Sequence, residues 1–331
     1  MTDIIPLNNV DKDTLLALAG TLEKSSEHPL AESIYGAAKE KNLILKEVTN
    51  FKAIPGHGVT GDIDGVTYYL GNRKLMADLG DDITKAEVQL QQLEQAGKTA
   101  MLLATKEKLL GIIAAADILK ETTLEAIEKL RSMNITLYMI TGDNQRTATA
   151  IAEHVGMTHV LAEVLPQDKE KEIKKLQTGG LKVAMVGDGI NDGPALAQAD
   201  VGIAMGSGTD VAMETGGVVL VKNDLRDVVG ALQLSRSTMG KIRQNMFFAL
   251  FYNVVGIPIA ARALIGLGIV LRPELAGLAM AFSSVSVVSN SLLLKGFKPG
   301  KRNYLSDLAP VFMTIIFTLI FIAFARISTR L

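Results

Sequence analysis

The residues that decide the fold run from Met185 to Thr215, MVGDGINDGPALAQADVGIAMGSGTDVAMET. The apolar run Lys182 to Val186 predicts a strand that feeds into Gly187-Asp188-Gly189, so the Asp188 carboxylate is delivered at the strand's carboxyl end. Open α/β sheets place their ligand chemistry there. Asn191 and Asp192 come on the next turn. Two carboxylates and an amide on one short loop form an oxygen-rich set suited to Mg²⁺, a hard ion that takes one or two carboxylates together with phosphate and water oxygens. Asp-Gly is also a common turn dipeptide, and a tight strand-to-helix connection is the competing reading of the loop taken alone.

Two further segments bear on it. Ile135 to Ile140 is a second apolar strand, ending in Thr141-Gly142-Asp143-Asn144, and Pro166-Gln167-Asp168-Lys169 opens a helix between the two strands. A hydroxyl at one strand end, a lysine at a helix start and carboxylates at the next strand end can converge on one phosphoryl group. In this order and spacing, TGDN, PxxK and GDGINDxPAL resemble the phosphorylation domain of P-type ATPases, a haloacid-dehalogenase-like fold. Ser26-Glu27-His28-Pro29-Leu30 resembles the signature of the heavy-metal-transporting branch, and the resemblance runs from Asp3 to Leu294.

The resemblance implies roles residue by residue. Thr141, with Gly142 and Asp143 in its loop, would bond the phosphoryl oxygens, and Lys169 would neutralise them. Asp188 would hold Mg²⁺ with support from Asn191 and Asp192, while Asp143 and Asp117 would sit near the hinge between nucleotide-binding and phosphorylation domains. The family's phosphate acceptor is the Asp of Asp-Lys-Thr-Gly-Thr. That string does not occur here. Asp11-Lys12-Asp13-Thr14 lacks the Gly-Thr and precedes the helical pattern Leu15, Leu16, Leu18, so it reads as a helix cap. The expectation is a chain that begins just after the nucleophile and lacks the first strand of the phosphorylation domain.

Residues 1 to 115 read as an α+β domain, with helices at Asp11 to Thr21 and Pro29 to Lys41 and glycine-punctuated strands around Phe51 to Leu70. The resemblance makes this the nucleotide-binding domain: Glu23 and His28 at the adenine, Gly56 and Gly58 allowing close backbone approach, Gly71 and Asn72 completing the ATP pocket. Ordinary turn geometry is the competing reading of these glycines, and Pro29 suits a first helical position with no ligand at all. His57 is either a loop residue or a nucleotide contact. Gly97-Lys98-Thr99 is no P-loop, because Gln92 stands where that motif needs glycine. His154 and His159 have no neighbouring ligand set and read as structural.

From 116 to 240, apolar strands (135 to 140, 182 to 186, 200 to 204, 218 to 221) alternate with amphipathic helices (121 to 132, 146 to 155, 167 to 177, 224 to 235). Such alternation predicts a mostly parallel sheet covered on both faces. Residues 241 to 331 carry apolar segments at about 245 to 265, 275 to 294 and 308 to 325, long enough to be transmembrane helices. Lys241 and Arg243 precede the first, and Lys295, Lys298, Lys301 and Arg302 separate the second from the third, which puts the basic loops and the head domains in the cytosol. Polar residues inside a membrane are costly and mark functional candidates. Of these, Tyr252, Asn253, Met280 and Ser284 match what the resemblance leads one to expect of a Cu⁺ site in copper(I) exporters. A thioether is a soft ligand that suits Cu⁺, with Ag⁺ as the alternative cargo.

Composition narrows the remaining options. The 331 residues are 48% hydrophobic and 21% charged with a formal net charge of −1, so no basic surface points to nucleic acid. Cysteine is absent, which excludes disulfides, thiolate sites and the Cys-Pro-Cys motif of heavy-metal pumps from these residues. The sequence therefore reads as the C-terminal portion of an integral-membrane, ATP- and Mg²⁺-dependent Cu⁺ pump of the plasma or inner membrane. The actuator domain, the first six helices and the Asp-Lys-Thr-Gly-Thr segment are its expected partners. A non-catalytic nucleotide-binding membrane fragment, or one half of a split pump, is the alternative.

Overall fold

The computed structural model describes residues 3–26, 29–116, 119–188, 192–206, 217–263, 265–267, 273–301 and 303–328. The chain divides into two compact units, Met1–Leu225 and Arg226–Leu331.

The first unit opens with β1 (Asp3–Pro6), α1 (Lys12–Glu23), α2 (Pro29–Glu40), β2 (Thr49–Ile54), β3 (Gly58–Ile63) and β4 (Val66–Gly71). It continues through α3 (Arg73–Leu79), α4 (Thr84–Gln95), β5 (Thr99–Thr105) and β6 (Leu109–Ala115). The six strands form one antiparallel sheet in the order β1-β6-β5-β4-β3-β2. Local chemistry sets several boundaries. Asp11 caps α1, its carboxylate accepting from the Asp13 and Thr14 N–H groups. Asp64 and Gly65 both take positive φ, +52° and +79°, and join Ile63 to its partner Val66 in the tight turn that an Asp-Gly pair favours. Strand alternation supplies two cores, one on each face of the sheet. Leu103 and Ile113 pack against α1 and α2, whereas their neighbours Leu102 and Ile112 pack against α3 and α4.

The second half of this unit holds α5 (Glu121–Ser132), β7 (Tyr138–Ile140), α6 (Gln145–His154), β8 (His159–Leu161), α7 (Pro166–Thr178), β9 (Ala184–Gly187), α8 (Gly193–Gln198), β10 (Val201–Met205) and β11 (Val218–Leu220). All its strand pairs are parallel, as the alternation predicts. They form two ladders, β7-β8 and β11-β10-β9, instead of the single sheet expected. Ile140 of β7 packs with Met185 of β9, Ala204 of β10, Ile173, Ala195 and Leu196, so the ladders share a core although no hydrogen bond joins β7 to β9 among the described residues. The strands are also shorter than their apolar runs: β7 starts at Tyr138, not Ile135.

The second unit is helical: α9 (Leu225–Ala260), α10 (Pro273–Leu292) and α11 (Tyr304–Ser328), with short 3₁₀ turns at Ile265–Leu267 and Leu293–Gly296. The helix expected at 224 to 235 and the first apolar segment are one continuous element, because no proline lies between Arg236 and Gln244 and a single glycine, Gly240, is tolerated inside a helix. Phe282 of α10 stacks on Phe317 of α11 at 4.8 Å. Lys241 is buried and donates to Asn290 Oδ1 at 2.8 Å and to the Ser306 carbonyl at 2.9 Å, tying the three helices together at one end. Asn290 in turn donates to Gln244 and Asn245. Among the described residues no helix is long and apolar enough to cross a membrane, so the spans expected from the sequence are not seen as such. Side chains at 320–328, which complete the third apolar run, lie outside the described ones.

Candidate functional site

Thr141 directly succeeds the last residue of β7 and is fixed from both sides of its peptide, its N–H donating to Leu161 O and its carbonyl accepting from Val164 N–H, both at 3.0 Å. Its hydroxyl donates to Asp143 Oδ2 at 2.9 Å and accepts from the Asp143 N–H at 3.1 Å. Asn144 caps α6 through the Thr147 N–H at 3.0 Å, which sets the direction in which the Thr141-Gly142-Asp143 turn leaves the strand. The bond from Val164 also directs the chain into α7. Pro166 begins that helix two residues later, so Lys169 is carried on the first turn of a helix that starts beside Thr141.

From β9 the chain reaches Gly187 and Asp188, and Asp192 returns against the strand end at the start of α8. Lys169 Nζ lies 2.6 Å from Asp192 Oδ1, both side chains largely buried at 16% and 12% exposure. A Cβ built at Gly187 would overlap the Asp192 carboxylate, so glycine is what lets that side chain fold back onto the strand. Asp188 is exposed beside it. Asn191, with Asp117, lies outside the described residues. Thus Thr141 pairs with Asp143 just beyond β7 and Lys169 with Asp192 just beyond β9, and the two strands share one apolar core. Asp188 and Asp192 present the hard carboxylate oxygens that Mg²⁺ takes alongside phosphate oxygens. No group of three or more His, Asp or Glu that could hold a metal ion occurs among the described residues.

Four of the expected nucleotide residues, Gly56, Gly58, Gly71 and Asn72, lie together. Gly58 of β3 stands opposite Gly71 of β4. Gly58 has φ +148°, and a Cβ there would overlap the Leu70 carbonyl, so only glycine lets the two strand ends approach this closely. Asn72 joins the set: its side-chain amide donates to Gly56 O at 2.8 Å, its N–H to His57 O at 2.8 Å, and its Oδ1 caps α3. His57 is a loop residue, its Nδ1 3.0 Å from Pro55 O and its Nε2 3.7 Å from Asp78. Glu23 ends α1, which packs on β3, and its Oε2 has no partner among the described residues. Burial pushes its carboxyl up from the ordinary range, against the opposing hydrogen bond from Ser26. His28 lies outside the described residues.

In the helical unit, Asn253 donates back to Ala249 O at 2.8 Å, and Ser284 lies one turn from Met280, donating to its carbonyl at 3.4 Å. Met280 is 72% exposed, and Asn253 and Ser284 are exposed too; no contact among the described residues brings the three together. The Tyr252 side chain lies outside the described residues. The buried polar groups here are Lys241, Ser286 and Asn290 instead. Periodicity missed this cluster because Lys241 stands outside the apolar run that defined the segment.

A model of haloacid dehalogenase-like hydrolases matches residues 1–200, and the chain belongs to that family. Over most of its length it is homologous to copper-exporting P-type ATPases. It is 52% identical over 304 residues to a probable copper-exporting P-type ATPase of Archaeoglobus fulgidus, a match covering 91% of this chain and 37% of that protein. A probable copper-transporting ATPase of Synechococcus elongatus is 49% identical, covering 90% and 40%. The chain therefore spans about two fifths of the length of these curated relatives. Among solved structures, a zinc-transporting PIB-type ATPase in its E2.Pi state matches with TM-score 0.63 and 35% identity over 88% of this chain and 46% of that one. The catalytic domain of the CPx-ATPase CopB-B matches with TM-score 0.52 and 26% identity over 69% and 82%.

Proposed function

We propose that this chain is the nucleotide-binding and phosphoryl-transfer portion, with part of the membrane domain, of an ATP-driven Cu⁺ exporter. The observation that carries the reading is the buried Lys169–Asp192 pair at 2.6 Å, standing where β7 and β9 end and where Thr141 presents its hydroxyl. Lys169 neutralises the transferring phosphoryl group, Thr141 hydrogen-bonds its oxygens, and Asp188 and Asp192 hold Mg²⁺, which when bound adds positive charge at the phosphate oxygens. The glycine pair Gly58 and Gly71, with Gly56 and Asn72, admits the nucleotide, and Glu23 Oε2, which has no partner among the described residues, offers an acceptor to the adenine amino group alongside His28.

The membrane assignment rests on the outward residues of the second unit. Phe247, Leu250, Val254, Ile257, Phe312 and Ile316 are each more than half exposed, a surface that lipid or further helices would cover. Cu⁺ or Ag⁺ is the cargo read from Met280, Ser284, Asn253 and Tyr252, with further helices of the pump completing the ligand set. The head lies in the cytoplasm by the placement of Lys241, Arg243 and Lys295.

No Asp-Lys-Thr-Gly-Thr occurs within these 331 residues, so phosphoryl transfer at this site needs an acceptor that these residues do not themselves supply. Purified alone, the chain is expected to bind MgATP saturably, to lose that binding in His28→Ala, and to trap no acid-stable phosphoenzyme from γ-labelled ATP. Unchanged ATP affinity in His28→Ala removes the adenine-site assignment. A phosphoenzyme formed by the chain alone removes the claim that its nucleophile must come from elsewhere.

A further inference from the structure

The Gly97-Lys98-Thr99 segment is unsuited to a P-loop, yet it sits against the phosphoryl site. Thr99, the first residue of β5, donates its hydroxyl to Asp143 Oδ1 at 3.0 Å. The other oxygen of the same carboxylate accepts from the Thr141 hydroxyl. Beside it, the Thr147 hydroxyl donates to the Lys98 carbonyl at 3.0 Å and itself accepts from Asn144. On the first turn of α6, Arg146 reaches Glu94 and Glu87 of α4 at 3.2 and 3.4 Å. Glu94 is also held by Arg73, and its side chain is 1% exposed. The loop bearing Thr141 is thus clasped along its length by α4 and the start of β5.

The Thr141 hydroxyl has one proton to donate, and Asp143 accepts it here. A phosphoryl oxygen at Thr141 must compete with Asp143 for that proton. By donating to the opposite oxygen, Thr99 fixes the plane of the carboxylate and lowers its demand on Thr141. Thr99 also stands opposite Ala115, the last residue of β6, where the chain leaves the antiparallel sheet for α5. A contact at that exit couples the placement of the antiparallel layer to the rotor of the Thr141 hydroxyl.

We propose that Thr99 is a positioning residue of the phosphoryl site: through Asp143 it releases the Thr141 hydroxyl to bond the terminal phosphates of a bound nucleotide. The inference rests on the nucleotide-binding reading of this unit. Its test uses the full chain in three forms, wild type, Thr99→Val and Thr99→Ser, titrated with ATP and separately with AMP, each with Mg²⁺. Thr99→Val is expected to weaken ATP binding about tenfold, the worth of a hydrogen bond to a charged group. AMP affinity stays the same in all three, which also reports that the valine variant is folded, and serine restores ATP affinity. Equal ATP affinity in wild type and Thr99→Val overturns the proposal, as does failure of serine to restore it or a parallel loss of AMP binding. If wild type binds AMP and ATP equally, the adenine site stands and the positioning role falls. If wild type binds neither nucleotide, the underlying reading falls with it.

Discussion

Asp192 is a carboxylate held almost out of water, with the Lys169 ammonium against it at 2.6 Å. Glu23 is the opposite case, a buried carboxylate whose second oxygen finds no donor among the described residues and whose protonated form is favoured by burial. A raised folded-state value means that the folded chain binds more protons than the unfolded chain as pH rises above the ordinary value of 4.5, so stability falls as pH rises through that window. Glu23→Gln removes this pH dependence. Denaturant unfolding is expected to show the variant gaining on wild type as the pH is raised from about 4 to about 7.5, the side of the ordinary carboxylate range on which the shift acts. A constant difference across that range would show that Glu23 does not titrate abnormally. Both carboxylates are singled out by sequence, yet only their neighbours separate the two behaviours. Lys169 is 23 positions from Asp192, and no local pattern reports such a distance.

Among the elements, those with a chemical start signal are the legible ones. Asp11, Asn144 and Pro166 each open a helix within a residue or so of where the sequence places it, because capping and the fixed proline φ act locally. Strand lengths are not legible, since an apolar run says what is buried and not how many residues find a hydrogen-bonding neighbour. β6 escapes notice for a related reason. LLGIIAA is buried throughout, so its strand character shows no alternation to read. Where β3 meets β4, the glycine requirement is steric as well as conformational. Gly58→Ala is expected to destabilise the fold by more than about 1 kcal/mol, because alanine at positive φ meets strain as well as the Leu70 carbonyl. Gly65→Ala, at φ +79° with open space around its Cβ, is a comparison in which a positive φ is strained without a clash. Equal melting temperatures for the two variants would show that the close approach of β3 and β4 carries no cost.

For the molecule as a whole, the two units obey different packing rules. The first hides its apolar side chains in two layers around an antiparallel sheet and a smaller core beneath the parallel ladders. The second buries the polar Lys241, Ser286 and Asn290 as well as the apolar Phe248, Val228 and Val229, and turns Phe247, Leu250 and Ile257 outward. The full chain is accordingly expected to need detergent for monodispersity and to float with liposomes even at high salt, since apolar contact is not screened. A chain that stays monomeric without detergent and sediments away from vesicles would sink the membrane assignment. The order of motifs along the chain exposes this contrast, but the clasp around Thr99 and Asp143, 44 positions apart, is visible only in three dimensions.

The two parallel ladders leave open edges. β7 closes its ladder on one side and β9 closes the other, so among the described residues each has a row of backbone N–H and C=O groups without a strand beside it. Such rows template whatever extended segment arrives first. An edge of this kind is a kinetic hazard at high concentration: copies can pair edge to edge, and shelf life in solution becomes a race between folding and β-type self-association.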